Sequence, residues 1–271
     1  MTSLALRGKT IHYDDSGPAE GLPVLLIHGH PFNRTLWAPQ ATALVAAGHR
    51  VVTPDLRGYG DSGVEEGSVH LDAFADDLVG LLDHLGIDRA VVGGVSMGGQ
   101  IAMEMQRSHA GRVRALVLSD TSAPAETDEG KTVRNRMADR LLTEGMGGYA
   151  DEVIGKMLAA YNVTAMPDVA ARVLAMMRST DPRGAAAALR GRAERPDYRA
   201  TLAAVRSPVL IVVGADDVFT PVADAEALHA LVPHAVLTVV DGAGHLPGAE
   251  QPDLFNSALL DFLTTRVATA G

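Results

Sequence analysis

Gly94-Val95-Ser96-Met97-Gly98 sets one serine between glycines, where the valine-rich run from Ala90 meets a segment of helical spacing. The pattern is G-x-S-x-G, in which a serine on a sharp strand-to-helix turn exposes its hydroxyl. Gly94 and Gly98 are needed because side chains there would collide across the turn. The glycines around Ser96 form neither a G-x-G-x-x-G fingerprint nor a P-loop, so a phosphate cradle is not their purpose.

A serine hydroxyl is a weak nucleophile. It needs an imidazole to take its proton and a carboxylate to fix the imidazole's tautomer. In α/β-hydrolases, which carry a serine on this kind of turn, the acid and then the histidine follow in the chain. Four histidines follow Ser96. His109 lies down the next helix and points away, His229 sits on a helix ending in HALVP, and His234 precedes a strand. His245 stands in the turn DGAGHLP at a strand's carboxyl end and is assigned as the base. Asp216 and Asp217, leaving the strand VLIVVG, are candidates for the acid, and Asp120, leaving RALVLS, is a third. Spacing alone does not choose among them.

The elements that must hold these residues can be read from Pro23 onward. Short apolar runs at 24–29, 50–55, 89–96, 114–120, 208–217 and 235–244 alternate with amphipathic segments. Runs with little polar alternation suit strands buried on both faces, and strand–helix alternation implies an α/β fold with a doubly wound, mostly parallel sheet. In such sheets ligands gather outside the carboxyl ends of the strands. Leu71, Phe74, Leu78, Leu81, Leu82 and Leu85 make one helical stripe, closed by Gly86 as a C-cap. Residues 121–201 lack a convincing strand and hold six of the ten methionines. They read as a helical lid inserted in a core of 1–120 and 202–271, and GAAAAL (184–189) reads as a good helix.

The motifs HGHPF, DLRGYGDS, GVSMGG, GADDVFTP and GAGH occur in the order found in the α/β-hydrolase superfamily, which the chain resembles over nearly its whole length. The shared pattern G-x-x-D-x-x-x-P, here Gly214 to Pro221, puts the acid on Asp217, so the resemblance implies a triad of Ser96, Asp217 and His245. GVSMGG and the HG-x-P turn are similar to small serine esterases, 3-oxoadipate-type enol-lactonases and cofactor-free haloperoxidases. That branch implies an oxyanion hole from the backbone N–H groups of His30 and Met97, a small-molecule ester or lactone substrate, and no cofactor. Pro31, Phe32, Met137 and Met157 are the expected pocket residues, with Tyr149, Tyr161 and Tyr198 the lid's few aromatics.

Relatives of this fold that attack alkyl carbon carry aspartate at the turn, so serine implies acyl transfer. A perhydrolase, to which Pro31 points by resemblance, a C–C bond hydrolase and a non-catalytic receptor are the alternatives. His28 is expected to be structural, Asp55 and Arg57 to organise a loop, and Asp76 and Asp77 to face solvent. Arg134, Arg136 and Arg140 are read as a solvated face or, alternatively, as partners for a substrate carboxylate.

Composition excludes other classes. A net charge of −10 and a pI near 5.4 argue against a nucleic-acid surface. The absence of cysteine removes thiol chemistry, and the scattered histidines without H-E-x-x-H give no metal site. No apolar run approaches a membrane span or a signal-peptide core, so a soluble cytoplasmic protein is the default expectation.

Overall fold

The computed structural model describes residues 2–6 and 8–268. At one edge β1 (Thr2–Leu6) and β2 (Lys9–Ser16) form an antiparallel hairpin. There follow β3 (Pro23–Ile27), β4 (Arg50–Pro54), β5 (Ala90–Val95), β6 (Val113–Ser119), β7 (Val209–Gly214) and β8 (Val236–Val240). The sheet order is β1-β2-β4-β3-β5-β6-β7-β8, with β3 to β8 parallel and β2 antiparallel to β4. All six residues of β5 and of β7 are buried, as their unbroken apolar runs predict. β8 departs from that expectation: as the edge strand it is largely half-exposed, with Val239 open to solvent.

The first three helices are α1 (Ala38–Ala46), α2 (Leu71–His84) and α3 (Met97–Ser108). Between β6 and β7 the chain passes through α4 (Asp128–Glu144), α5 (Met146–Met157), α6 (Asn162–Ala165), α7 (Pro167–Ser179), α8 (Pro182–Ala193) and α9 (Arg199–Ala203). After β7 come α10 (Val222–Leu231), α11 (Pro247–Glu250) and α12 (Pro252–Phe262). Successive strand side chains point to opposite faces. Leu25 and Ile27 thus meet α2, α3 and α10 residues such as Phe74, Ile101 and Leu228, while Val24 and Leu26 meet Leu44 of α1 and Phe255 and Phe262 of α12. The sheet is therefore covered on both sides. α2 ends as its sequence indicates, with Gly86 at φ +66°.

Two devices fix the helices between β6 and β7 to the sheet ends. α8 begins with Asp181 accepting from the Arg183 amide and Pro182 in its first turn. It lies so close to the loop after β4 that an added Cβ would stand 2.1 Å from Gly58 O at Gly184 and 1.7 Å from Val69 O at Gly191. The second device is the buried Glu250, which accepts from the Gly244 and Ala159 amides and from Asn162 Nδ2, each at 2.8 Å. That carboxylate ties the chain around α6 to the turn carrying His245. Among the described residues no helix is long and apolar enough to cross a membrane.

Candidate active site

Ser96 occupies the single step between β5 and α3, at φ +55° and ψ −116°. Its amide donates to Ser119 O at 2.9 Å and its carbonyl accepts from Thr121 Oγ1 at 2.7 Å, so the strained turn is held from both sides. The flanking glycines are sterically required. A Cβ on Gly94 would stand 2.2 Å from Gly98 C, and one on Gly98 would stand 2.2 Å from Ile27 O.

Asp217 and His245 leave the ends of β7 and β8 and meet directly. His245 Nδ1 lies 2.8 Å from Asp217 Oδ2, with both residues buried. The carboxylate also accepts from Thr220 Oγ1 at 2.6 Å and from the amides of Phe219 at 2.8 Å and Thr220 at 3.2 Å. Burial pushes this carboxyl up, but the hydrogen bond and charge of His245, then Thr220 and the Phe219 amide, outweigh it and hold the pKa below the usual carboxylate value. An ionised Asp217 requires the proton on His245 Nδ1, which leaves Nε2 as the basic atom. Phe219 packs edge-on against that ring at 5.1 Å.

Ser96 and His245 line one cavity of about 170 Å³. The two side chains are not hydrogen-bonded to each other, a looseness common in sites without substrate. Among the described residues neither the His30 nor the Met97 amide is taken up by a backbone carbonyl. The Met97 amide opens α3, where the helix dipole favours negative charge.

Asp216, the neighbour of Asp217, turns outward and accepts from Tyr161 Oη at 2.6 Å. Asp120 is inside: oxygen and nitrogen atoms of Asp120, Asp217 and His245 all lie within 4.8 Å of one another. Its Oδ1 accepts from the Gly214 amide at 2.9 Å, and Ser119 Oγ lies 2.5 Å from Oδ2. Burial and the adjacent charge of Asp217 push the Asp120 carboxyl well above its ordinary value, which favours its neutral form.

Residues 23–252 match the family model described as the alpha/beta hydrolase fold. The chain belongs to this family. This α/β-hydrolase is 29% identical to 3-oxoadipate enol-lactonase 1 of Acinetobacter baylyi, over 92% of its own length and 91% of the lactonase. It is 31% identical to a non-heme chloroperoxidase of Kitasatospora aureofaciens, over 94% of its length and 96% of the peroxidase. Among solved structures it is similar to a malate-bound thermophilic esterase from Thermogutta terrifontis, with a TM-score of 0.92 and 39% identity over 97% of this chain and 96% of the esterase.

Besides His30, Ser122, Phe219 and Thr220, the cavity of this α/β-hydrolase is lined by residues of the helices between β6 and β7: Arg134, Tyr149, Met157, Leu189 and Arg192. Of the four expected pocket residues, Met157 is on its wall. Phe32 is wholly buried in the core beneath α1, Met137 packs against the cluster holding α4 to α8, and Pro31 turns its carbonyl to Thr180 Oγ1 at 3.0 Å. These three are corrections, because a residue's place beside His30 or on a helix between β6 and β7 does not fix which way its side chain points. Of the three aromatics, Tyr149 reaches the cavity, Tyr161 is exposed, and Tyr198 is buried with its hydroxyl donating to Glu104 at 3.0 Å.

The arginines of α4 part company as well. Arg134 faces the cavity, Arg136 faces solvent, and Arg140 pairs with Glu144 and Glu152. Nothing in its own stretch of sequence marks Arg192 as a cavity residue, since its place depends on how α8 docks.

The remaining polar residues are held locally. His28 accepts from the Leu56 amide through Nε2 at 3.0 Å and donates from Nδ1 to Gly29 O at 2.8 Å, which leaves it no free nitrogen. Asp55 is buried against Arg34 and accepts from the Arg34 and Asp61 amides. Asp77 corrects the expectation of a solvated face: it is buried in a two-pronged pair with Arg57, which also reaches Glu65. Asp76 remains nearer the surface and meets His109 at 2.8 Å.

Proposed function

We propose that the protein is a serine hydrolase of carboxylic esters or lactones working through an acyl-enzyme. Ser96 Oγ attacks the carbonyl carbon as His245 Nε2 takes its proton. Asp217 holds the opposite nitrogen and stabilises the imidazolium without itself being protonated. The negative oxygen of the tetrahedral intermediate meets the amides of His30 and Met97; such donors are each worth about 2.7 to 4 kcal/mol of barrier. His245 then protonates the leaving alcohol, and a water activated by the same nitrogen releases the acid. Segment 121–201 serves as the lid over this site.

The observation that carries this reading is the Asp217–His245 pair at 2.8 Å opening onto the cavity that also holds a strained, pocket-facing Ser96. Membership of a hydrolase family and the likeness to an esterase and a lactonase support the same chemistry. The test is hydrolysis of 4-nitrophenyl acetate and butyrate by the wild type beside Ser96→Ala. We expect turnover that the substitution removes by about 10⁴-fold or more. Ester hydrolysis surviving in a folded Ser96→Ala protein would overturn the proposal.

A further inference from the structure

We propose that the cavity selects an ester or lactone bearing a carboxylate away from the scissile bond, and that Arg192, with Arg134 beside it, receives that carboxylate. The inference rests on the hydrolase reading above and names its substrate class.

The argument begins with a mismatch of charge. The chain carries a net −10, yet the cavity holding Ser96 has two arginines on its wall and no aspartate or glutamate. Arg134 pairs with Glu126, and Arg195 claims the same carboxylate at 2.8 Å, so one anion serves two cations. Arg192 has less. Its Nε donates to Gln100 Oε1 at 2.7 Å, a neutral partner, and no carboxylate among the described residues is bonded to its guanidinium. Burial, then the cations Arg134 and Arg195, depress its pKa well below the guanidinium value, which is the mark of a charge lacking compensation. An unpaired charge in such a place is costly, and a bound anion removes the cost.

A second observation points into the same cavity independently. His30, also on its wall, is buried, and its Nε2 has no hydrogen-bond partner. Its Nδ1 lies 2.8 Å from Tyr59 Oη, and that wholly buried hydroxyl has no other acceptor among the described residues. The Tyr59 proton must therefore sit on the bond to Nδ1, which makes Nε2 the protonated nitrogen and an unused donor. Burial and the charges of Arg192 and Arg134 keep this imidazole neutral. Donors on this wall outnumber acceptors, as suits an anionic ligand.

Arg192 is also well placed to be selective. It lies in the last turn of α8, the helix set against backbone at Gly184 and Gly191, so its position is fixed before substrate arrives. A planar guanidinium gives two parallel bonds to a carboxylate, and Leu189 and Met157 line the cavity with apolar surface for a short hydrocarbon spacer.

Two matched pairs of esters test charge against shape. On the acyl side 4-nitrophenyl hydrogen adipate is set against 4-nitrophenyl hexanoate; on the alcohol side 4-carboxyphenyl acetate is set against its methyl ester. In one pair the wild type should favour the charged member, chiefly through KM. Arg192→Gln should then lower the charged-to-neutral ratio of kcat/KM by about 10- to 100-fold. Arg134→Gln should lower the same ratio and keeps the test alive where Arg192→Gln fails to fold. Calorimetric titration of adipate into Ser96→Ala should show binding that adding Arg192→Gln abolishes. If neutral esters are preferred in both pairs, or the preference survives both substitutions, the carboxylate site is wrong while the hydrolase reading stands. If no ester turns over but adipate binds Ser96→Ala through Arg192, the hydrolase reading fails and the anion site stands.

Discussion

The floor of the cavity and its helical wall hold their side chains by different means. Ser96, Asp217 and His245 follow the ends of β5, β7 and β8, and backbone groups hold the first two: amides of Phe219 and Thr220 on Asp217, a carbonyl of Ser119 on the Ser96 amide. Arg134, Tyr149, Met157, Leu189 and Arg192 come from α4, α5 and α8, which an apolar cluster, the close approach of Gly184 and Gly191 to loop backbone, and surface ion pairs hold together. Arg140 with Glu144 and Glu152, and Arg178 with Asp151, are exposed pairs of a kind that contributes little. Backbone donors do not change when a side chain is replaced, whereas a helix face does. The floor is thus suited to a fixed reaction, and the wall to a selectivity that substitutions can adjust.

The strongest way to break this contrast is at the floor. Replacing Asp217 by Asn keeps its shape but removes the charge that fixes the His245 tautomer, and kcat should fall by about 10⁴-fold. Asp120→Asn, at the end of β6, should lower kcat by less than about tenfold, since an amide resembles the neutral carboxyl that burial and the Asp217 charge favour there. Both are read as kcat on 4-nitrophenyl butyrate. Equal losses would mean that the two aspartates act as one acid and that the floor has no single ionised partner for His245.

The same contrast explains what the sequence made legible. Strands β3 to β7 announce themselves as unbroken apolar runs, and functional groups at their ends follow from the rule for open sheets. β8 is a similar run in composition, but burial there depends on being at the edge, which residue type does not record. The polarity of Asp77 suggests a solvated face, while its partner Arg57 stands twenty positions earlier in a loop. Arg134 and Arg136, two residues apart, cannot share a helix face, so one lines the cavity and the other meets water. GAAAAL signals a helix; the close approach of Gly184 and Gly191 to loop carbonyls, which brings Arg192 to the site, is a tertiary fact.

Glycines give the next test. In the floor, Gly98→Ala would drive a Cβ to 2.2 Å from Ile27 O and 2.7 Å from His28 O, both backbone atoms with no freedom to move aside. A loss of about 3 kcal/mol or more in urea unfolding is expected. On the wall, an added Cβ at Gly155 of α5 meets nothing within 4 Å. Gly155→Ala should therefore gain about 0.5 to 1 kcal/mol by helix propensity alone. A destabilised Gly155→Ala would show that the outer helices are packed as tightly as the floor, and the contrast would be lost.

The last effect lies between Asp120 and Asp217, in how stability depends on pH. The folded-state pKa of Asp120 is raised, by burial first and by the Asp217 charge second. Stability from a group of this kind is fully present below its unfolded pKa and declines as pH rises toward the folded value, because the unfolded chain ionises freely and the folded one does not. Asn carries no such titration, and it is among the residues that tolerate the positive φ of +46° found at this position. The melting temperature of Asp120→Asn relative to wild type should accordingly be higher at pH 8 than at pH 4. Asp217 has the opposite sign: its pKa is lowered, so its contribution is present above the unfolded carboxylate pKa and is lost as pH falls through the folded one. A difference between variant and wild type that stays flat from pH 4 to pH 8 would mean that Asp120 is ionised in the folded protein, placing two adjacent negative charges beneath His245.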